Sequence, residues 1–371
     1  MHQGQPRTAE HVAAGHPDKF CDQVADRVLD RVLELAGRDA EARRNVRTAI
    51  ECLAKDNLLI VSGEVKITDA VRAQLDVVGL AREVWTDIGY GTDPEVLTVV
   101  DHIRAQSPDI AAGTDDDVGG AGDQGIMVGY ATRENDAMMP QEWLMARDLI
   151  MRLRQHQDEK TLPWLRADCK AQVSLDAAGK VTSVIVAAQH AEDIAQEDVR
   201  GAIRTQVVDA VLGDVGDARV TINGTGIFTI GGPTGDAGVV GRKIVVDAYG
   251  PRVSVGGGAY SGKDGTKVDR SAAYMCRHIA KSIVAHGVAD AQACTVKLAY
   301  GIGLHQPEML TAVTEAGTDV SGWVRERFPD LSPGFIIDHL QLMQPEGWSY
   351  RATSYHGHYG RDMFPWERIA D

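Results

Sequence analysis

Apolar residues recur at three- and four-residue steps between His16 and Gly37, at Phe20, Val24, Val28, Val32 and Leu35. This spacing places them on one face of an amphipathic helix. Pro17 suits the first turn of that helix, and Gly37 suits the position after its last turn. The pattern then changes. Two strands joined at Asp56 and Asn57 are predicted in AIECLAKDNLLIVSGEVKIT, and a helix is predicted in DAVRAQLDVVGLAREVWTDIG.

The order of strands followed by a helical pattern occurs twice more. KAQVSLDAAGKVTSVIVAAQH predicts a hairpin, and the helical pattern QEDVRGAIRTQVVDAVLG follows it. Later in the chain, the strand-like TVKLAYGIG precedes PEMLTAVTEAG, which we interpret as a helix. Three such units predict a repeated α+β architecture.

Long polar stretches rich in glycine lie between these units. They are SPDIAAGTDDDVGGAGDQG, NGTGIFTIGGPTGDAGVVGRK and GGGAYSGKDGTKVDRS. Loops of this length inside a compact chain are usually functional, and domain linkers are the alternative. We therefore expect the chemistry of the protein to reside in these loops.

Composition narrows the classes of function. A formal net charge of -15 argues against a broad surface for nucleic acid or anionic membrane, both of which require positive potential. The sequence shows neither the apolar core of a secretory signal nor an apolar run that could span a bilayer, so we expect a cytoplasmic protein. Its five cysteines are scattered without a C-x-x-C pair, and we expect them to be reduced packing residues.

Two glycine motifs resemble nucleotide-binding loops but do not fit them. GGAYSGKD, at 257–264, has Asp264 where a P-loop needs a hydroxyl for Mg²⁺. GAGDQG, at 120–125, matches the dinucleotide fingerprint, but the strand-like IMVGYATREN follows it, whereas a Rossmann strand must precede it. We expect neither a P-loop nor a Rossmann unit.

Acidic and basic residues occur together at the start of two predicted helices. Asp18 lies in GHPDK, and Asp269 follows Lys263 and Lys267 just before a helical pattern. An aspartate at a helix N-terminus competes with phosphate unless a cation bridges the two. Mg²⁺ binds one or two carboxylates together with phosphate oxygens and water, so these aspartates can supply its ligands. Simple helix capping is the alternative for each aspartate.

Further basic residues stand beside glycines elsewhere. Arg242 and Lys243 close GGPTGDAGVVGRK, and Lys170 lies in the predicted hairpin. Each alone is a typical solvated surface charge. If they converge, however, the ligand that fits them in an acidic protein is a polyphosphate. His16 either caps its helix or donates a hydrogen bond to such a ligand.

Four motifs, GHPDK, GAGDQG, GGPTGDAGVVGRK and GGGAYSGKDGTKVDRSAAY, resemble those of the S-adenosylmethionine synthetases, also called methionine adenosyltransferases. Supporting matches in SGEVKIT, QSPDI, TLPWLRADCKAQV and YHGHYGRDMFPWE extend the resemblance over nearly the whole chain. It implies three similar α+β domains in a pseudo-threefold arrangement and a homodimer or homotetramer with active sites at the subunit interface. The expected domains are 1–112, completed by part of the C-terminal region, then 113–230 and 231–371.

The resemblance also implies a reaction and its residues. The sulfur of L-methionine attacks C5′ of ATP, and the released triphosphate is hydrolysed to phosphate and diphosphate. The residues implied for ATP are His16, Asp168, Lys170, Phe228, Asp236, Arg242, Lys243, Ala259 and Lys263. Those implied for methionine are Glu64, Gln106, Asp236 and Lys267. The implied metal ligands are Asp18 and Asp269 for Mg²⁺, with two ions expected per site, and Glu51 for K⁺. The implied catalytic residues are His16, Lys170, Arg242, Lys263 and Lys267.

The sequence departs from the family pattern at three places. AEHVAAGHPDK carries Ala13 and Ala14 in the usual Ser-Glu positions, Ile227 precedes Phe228 where a basic residue is common, and the acidic segment 111–119 is short. We expect an altered gate over the site from the last of these. A variant that uses a methionine analogue, a triphosphate hydrolase or kinase on the same fold, and a non-catalytic partner remain as alternatives.

Overall fold

The computed structural model describes residues 4–91, 93–106 and 120–370, and the acidic segment 111–119 lies outside these ranges. The strands are β1 Arg7–Val12, β2 Arg47–Lys55, β3 Leu58–Lys66, β4 Thr98–Ala105, β5 Gly125–Thr132, β6 Leu165–Leu175, β7 Val181–His190, β8 Arg219–Ile222, β9 Gly238–Val239, β10 Ala293–Tyr300 and β11 Met309–Thr314.

Helices precede and follow these strands. They are α1 Pro17–Leu35, α2 Ala40–Arg44, α3 Asp69–Arg72, α4 Val77–Ile88, α5 Gln141–Asp158, α6 Gln196–Ile203, α7 Asp209–Leu212, α8 Gly232–Gly235, α9 Ile244–Asp247, α10 Val268–His286, α11 Ser321–Arg327, α12 Pro333–His339 and α13 Tyr350–Thr353. A π-helical turn at Arg204–Val208 joins α6 to α7. No helix of the described residues is long and apolar enough to cross a membrane.

Three sheets organise the chain, in the orders β4-β3-β2-β9, β1-β6-β7-β8 and β11-β10-β5. One long helix packs on each sheet: α1 on β2, α5 on β6 and β1, and α10 on β5 and β10. Each unit is thus a sheet with one face covered by a helix. This arrangement confirms the α+β fold of three similar units.

Each sheet takes one strand from a distant part of the chain. β9 pairs with β2 through Leu53 and Val239, β1 pairs with β6, and β5 pairs with β10. The chain therefore passes from the second unit to the first between β8 and β9. The glycine-rich stretch 223–243 spans this connection.

The first predicted elements are confirmed, with one correction. α1 begins after its N-cap His16, and Gly37 follows it with a φ of 75°. β2 and β3 form the expected hairpin around Asp56. The predicted helix at 69–89 is in fact two helices, because the carboxylate of Asp76 accepts the Gly79 amide and starts α4 anew.

The interpretation of PEMLTAVTEAG as a helix is wrong. Met309–Thr314 is the strand β11, which pairs antiparallel with β10. Ala312 and Thr314 are buried while Val313 between them is less so, which is the period-two pattern of an edge strand with one covered face. The segment is short, and pairing with β10 decides its conformation.

The face of the first sheet that lies opposite α1 remains open. Leu53, Leu58 and Val100 are 43%, 36% and 43% exposed on it, and Ile60 pairs with both Leu53 and Val100 in register. Glu51 and Glu64 alternate onto the same face of β2 and β3. All five cysteines, by contrast, are buried and free, as expected.

Candidate active site

The turn before α1 lies directly against β6. The amide of Ala13 donates to the Cys169 carbonyl, which extends the pairing of β1. A Cβ atom at Gly15 would lie 2.4 Å from the carbonyl oxygen of Ala167, so only glycine permits this approach. The next residue, His16, is thereby held close to Lys170 on β6.

His16 is buried and caps α1, since its Nδ1 atom accepts the amide of Asp18 at 3.1 Å. Burial, reinforced by the positive charges of Lys243 and Lys170, lowers the pKa of His16 to about 3. The imidazole is therefore neutral at physiological pH, and with Nδ1 accepting, its Nε2 atom carries the proton. The predicted cap is therefore confirmed, and the proton on Nε2 leaves hydrogen-bond donation to a ligand as a prediction.

Asp18 is the second residue of α1, and both of its carboxylate oxygens have partners. Oδ1 accepts the amide of Val239 at 2.9 Å, and Oδ2 accepts from Nζ of Lys243 at 2.7 Å. Burial alone would raise the pKa of Asp18, but these two hydrogen bonds outweigh burial and lower it. The carboxylate is therefore ionised at neutral pH.

Asp168 lies in the buried run 167–169 of β6, and only one of its carboxylate oxygens has a hydrogen-bond partner among the described residues. Its Oδ2 atom accepts the amide of Gly232 at 2.8 Å, while Oδ1 is buried without a hydrogen-bond partner among the described residues. Burial raises the pKa of Asp168 to about 6, with Lys170 opposing and Asp236 and Asp18 adding to the shift. A buried acceptor of this kind suits a donor group of a ligand.

The loop around Lys263 lies along the edge of β2. The carbonyl of Gly262 accepts the amide of Ile50, and Lys263 forms an isolated bridge with Ala49. A Cβ atom at Gly262 would lie 2.2 Å from the Ile50 carbonyl oxygen, and its φ is 83°, so this close approach requires glycine. The Nζ atom of Lys263 donates to Oδ2 of Asp269 at 2.7 Å.

Asp264 explains why the loop is not a P-loop. Its buried carboxylate accepts the amides of Thr48 and Thr266 and the Nζ atom of Lys267, the last at 2.7 Å. The position that a P-loop gives to a metal-binding hydroxyl is here an internal anchor for the loop. The exclusion of the Rossmann unit is confirmed as well, because GAGDQG runs into β5.

Asp269 is the second residue of α10, as Asp18 is of α1, and both helices are 19 residues long. A Cβ atom at Gly258 would lie 2.1 Å from Oδ1 of Asp269, and one at Gly125 would lie 3.1 Å from it. Two glycine-rich loops therefore pass directly beside this carboxylate. Each of the two aspartates is paired with a lysine of a glycine-rich loop.

The remaining residues predicted for ATP lie on or near the same loops. A Cβ atom at Gly241 would lie 2.5 Å from Cβ of Ala259, so the loops that carry Lys243 and Lys263 touch there. Asp236 and Arg242 are exposed. Phe228 is half-buried, and its amide and carbonyl both bond to His190.

The residues predicted for methionine and K⁺ lie at more than one place in the structure. Glu51 and Glu64 lie on the open face of the first sheet, and the charge of Lys263 opposes a rise in the pKa of Glu51 caused by burial. The amide of Gln106 donates to Val65, and its Oε1 atom is buried without a hydrogen-bond partner among the described residues. Asp236 lies near Asp168 instead.

The structure thus brings the predicted site residues into two groups, the first cluster and the second cluster. The first cluster contains His16, Asp18, Asp168, Lys170, Asp236 and Lys243. The second cluster contains Glu51, Lys263, Lys267 and Asp269. Asp18 and Asp269 do not share a partner in the described residues, because each is held in its own ion pair.

Sequence reasoning missed the aspartates that hold these loops in place. Asp22 accepts the amide of Gly241, Asp26 accepts that of Gly262, and Asp30 accepts those of Tyr350 and Arg351. With Asp18 they recur every fourth residue along one side of α1. This four-residue repeat of aspartate along α1 was the available signal.

Comparisons with known proteins agree over the full described chain. Three family models match, the N-terminal, central and C-terminal domains of S-adenosylmethionine synthetase, at residues 5–108, 118–228 and 230–368. Proteins named S-adenosylmethionine synthase from Petrotoga mobilis and Treponema pallidum are 42% and 40% identical to this chain, and S-adenosylmethionine synthase 1 from Rhodospirillum rubrum is 44% identical. The alignments cover 97–98% of this chain and 93–96% of the relatives. The chain therefore belongs to the S-adenosylmethionine synthetase family.

Proposed function

We propose that this chain is a methionine adenosyltransferase, which converts ATP, L-methionine and water to S-adenosyl-L-methionine, phosphate and diphosphate. The observation that carries the proposal is the matched pair of ion pairs, Asp18 with Lys243 and Asp269 with Lys263. Each joins a carboxylate at a helix start to a lysine of a glycine-rich loop. Such sites offer cationic groups and carboxylate oxygen ligands together, as a metal-bound polyphosphate requires.

The difficult part of this reaction is the departure of triphosphate. A thioether is an uncharged nucleophile and needs no base, so the protein must chiefly stabilise the negative charge that grows on the leaving oxygen. The groups proposed for this are Lys170, Arg242, Lys243, Lys263 and Lys267. Lys243, Lys263 and Lys267 are held by carboxylates before the reaction, and groups placed in advance stabilise the transition state more than the ground state.

His16 is proposed as a hydrogen-bond donor to the departing oxygen. Its neutral state and its Nδ1 contact with Asp18 leave the Nε2 proton for this purpose. A neutral donor strengthens its hydrogen bond as charge develops on the oxygen, and it gives up no proton before the bond breaks.

Asp18 and Asp269 fit Mg²⁺, and we propose that they bind two Mg²⁺ ions together with the phosphate oxygens. Asp18 is ionised, and Oδ1 of Asp269 faces glycine backbone, where a Cβ atom would fill the space. Mg²⁺ prefers such hard oxygen ligands, and when bound it neutralises phosphate charge. Glu51 is proposed as the carboxylate that binds K⁺.

The substrates are assigned to groups that have free bonding capacity. Oδ1 of Asp168 is proposed to accept a hydrogen bond from ATP, with Phe228 packing near adenine and Ala259 lining the site. Glu64 and the Oε1 atom of Gln106 are proposed to receive the methionine ammonium. Lys267 is proposed to bind the methionine carboxylate, and Asp236 is proposed to contact both substrates.

We further propose a homodimer or homotetramer in which the first cluster of one protomer meets the second cluster of another. The open face of the first sheet supports this, because Leu53, Leu58 and Val100 leave an apolar patch beside Glu51 and Glu64. Exposed apolar patches rimmed by charge are typical of subunit interfaces.

Two coarser features are proposed on similar grounds. The limits 1–112, 113–230 and 231–371 are kept as proposed domains, with the first completed by β9. The cytoplasm is the proposed location, since the five cysteines are free thiols, the state that reducing compartments maintain.

The function is tested by one incubation of the purified protein with ATP, Mg²⁺, K⁺ and methionine. Mass spectrometry should detect the sulfonium product, with phosphate and diphosphate in equal amounts. Omission of methionine is the control, and it should abolish adenosyl transfer. Phosphate release that is equally fast without methionine, and without any sulfonium product, would instead establish the triphosphate hydrolase.

A further inference from the structure

Tyr90 lies at the end of α4, where the chain turns sharply towards the start of α1. Gly89 ends the helix in the left-handed conformation, with a φ of 90°, and its amide and that of Tyr90 both donate to the Trp85 carbonyl. The turn brings the Tyr90 ring back onto Trp85 and Phe20, with ring centroids 4.8 Å and 5.5 Å away. Phe20 belongs to the first turn of α1, so the ring lies beside the residues that precede that helix.

The hydroxyl of Tyr90 holds the backbone next to His16. It donates to the carbonyl oxygen of Gly15 at 2.8 Å. Burial raises the pKa of the Tyr90 phenol well above its usual range, so the hydroxyl keeps its proton and stays a donor. The neighbouring carbonyl of Ala14 accepts from Nε2 of Gln23 at 2.8 Å, so side chains hold both peptide groups before His16.

The ring of Tyr90 supports a second part of the site. A Cβ atom at Gly232 would lie 2.6 Å from Cε1 of Tyr90, so the backbone at Gly232 rests directly on the ring. Gly232 has a φ of 61° and donates its amide to Oδ2 of Asp168. The position of the ring therefore fixes the turn that orients Asp168.

We propose that Tyr90 is a positioning residue for adenosyl transfer, in which the hydroxyl sets the place of His16 and the ring sets the turn that holds Asp168. The inference rests on the proposed function of His16 and Asp168. It goes beyond that function by naming one side chain, remote from the motifs, that joins the two groups. Tyr90 acts through these residues and is not itself assigned a contact with substrate.

The hydroxyl and the ring can be tested separately. Tyr90→Phe removes the hydroxyl and keeps the ring, so it should lower kcat about three- to tenfold, the effect of one lost hydrogen bond, and leave KM for ATP within about twofold. Tyr90→Leu also removes the support under Gly232. It should therefore weaken ATP affinity as well, because Asp168 is then no longer held.

A double-mutant cycle with His16→Ala separates positioning from a general structural effect. If Tyr90 acts through His16, Tyr90→Phe should lower kcat in the wild-type background and have almost no effect in His16→Ala. Equal fold-losses in the two backgrounds would overturn the positioning role of the hydroxyl. In thermal unfolding, Tyr90→Phe should have a melting temperature close to that of the wild type.

Tyr350→Phe is the matched control. Tyr350 also donates its phenol to a backbone carbonyl, that of Leu342 at 2.6 Å, but it holds no residue of either cluster. The kcat of Tyr350→Phe should equal that of the wild type. A fall in kcat as large as that of Tyr90→Phe would contradict the proposal.

The failure of this inference can be told from the failure of the proposed function. If wild-type protein forms the sulfonium product and Tyr90→Phe matches it in kcat, only the positioning role of the hydroxyl is overturned. If the wild type forms no such product, the proposed function is overturned. In that case the supporting role of the Tyr90 ring is tested by calorimetric measurement of ATP affinity alone. Equal ATP affinities for Tyr90→Leu and Tyr90→Phe would overturn that role.

Discussion

The Nζ atom of Lys243 lies 2.7 Å from Oδ2 of Asp18, and the Nζ atom of Lys263 lies 2.7 Å from Oδ2 of Asp269. In both pairs the aspartate is the second residue of a long helix, and the lysine comes from a glycine-rich loop. The two pairs lie in different units of the fold. Two of the three units therefore each contribute one helix-start carboxylate to the proposed polyphosphate site, and the glycine-rich loops contribute the ammonium groups.

Lys243→Met should lower kcat/KM for adenosyl transfer by about 10²–10³, because it removes a charge placed for the leaving triphosphate. The measurement is the rate of sulfonium product formation by mass spectrometry. Lys180→Met is the matched control, since Lys180 is an exposed residue in the turn between β6 and β7. Equal rates for the two variants would remove Lys243 from the site.

His16→Ala should lower the rate of adenosyl transfer and leave the hydrolysis of added tripolyphosphate largely intact. The imidazole is proposed to act on the bond from C5′ to oxygen, which hydrolysis of free tripolyphosphate does not involve. Parallel assays of sulfonium product and of phosphate from tripolyphosphate test this. Similar losses in both assays would contradict the assignment.

The value of kcat/KM for ATP should fall as the pH drops through about 6. Below its pKa of about 6, Asp168 takes up a proton, so one of its two carboxylate oxygens can no longer accept a hydrogen bond. His16 does not titrate in this range, because its pKa is about 3. Asp168→Asn should have a lower kcat/KM without this acidic limb, and an unchanged limb in the variant would assign it to another group.

Mixing two variants of low activity should restore activity if the first cluster of one subunit meets the open sheet face of another. His16→Ala damages the first cluster and Glu64→Gln damages the proposed methionine contact on the open sheet face. In a statistical mixture half of the dimers carry both variants, and one of their two sites is intact, so about a quarter of wild-type activity should return. Subunits are first exchanged in mild denaturant, and an inactive mixture whose exchange has been verified would place the whole site within one chain.

Asp26→Ala should destabilise the fold strongly. Both carboxylate oxygens of Asp26 bond to the fully buried guanidinium of Arg270, at 2.7 Å and 2.9 Å, and Oδ1 also accepts the amide of Gly262. Removing one partner of a buried ion pair leaves a charge unpaired and costs about 3–5 kcal/mol. Urea unfolding at neutral pH measures this difference.

Asp338→Ala is the comparison for that experiment, because Asp338 forms an exposed pair with Arg44. Exposed pairs contribute about 0–1 kcal/mol, so its urea midpoint should change little. If the two variants unfold at the same urea concentration, the Asp26 pair does not stabilise the loop that carries Lys263.

The parts of the fold that the sequence predicted are those that local chemistry determines. The three-to-four spacing of the apolar residues from Phe20 to Leu35 identifies α1 in the sequence, and His16 with Pro17 marks its start. The failure at Met309–Thr314 has a physical cause, because a six-residue apolar segment takes its conformation from its partner strand. Such pairing lies far away in sequence and leaves no local pattern.

In the candidate site, too, a local sequence pattern identified some features, and others depend on long-range packing. The motifs identified Lys243 and Lys263 because glycine, lysine and aspartate stand together in the sequence. They gave no sign that each lysine would bond to a carboxylate, nor that Tyr90 would support Gly232. These relationships depend on helix and sheet packing, which a linear pattern does not contain.

The exchange of strands among the three sheets has a consequence for synthesis. The first sheet lacks β9 until the ribosome has passed residue 239, and β5 waits for β10 at 293–300. A nascent chain therefore exposes unpaired strand edges until most of it has been made, and such edges favour aggregation. Chains released early would be substrates for chaperones and proteases, so translation of the last third commits the whole protein to its native state.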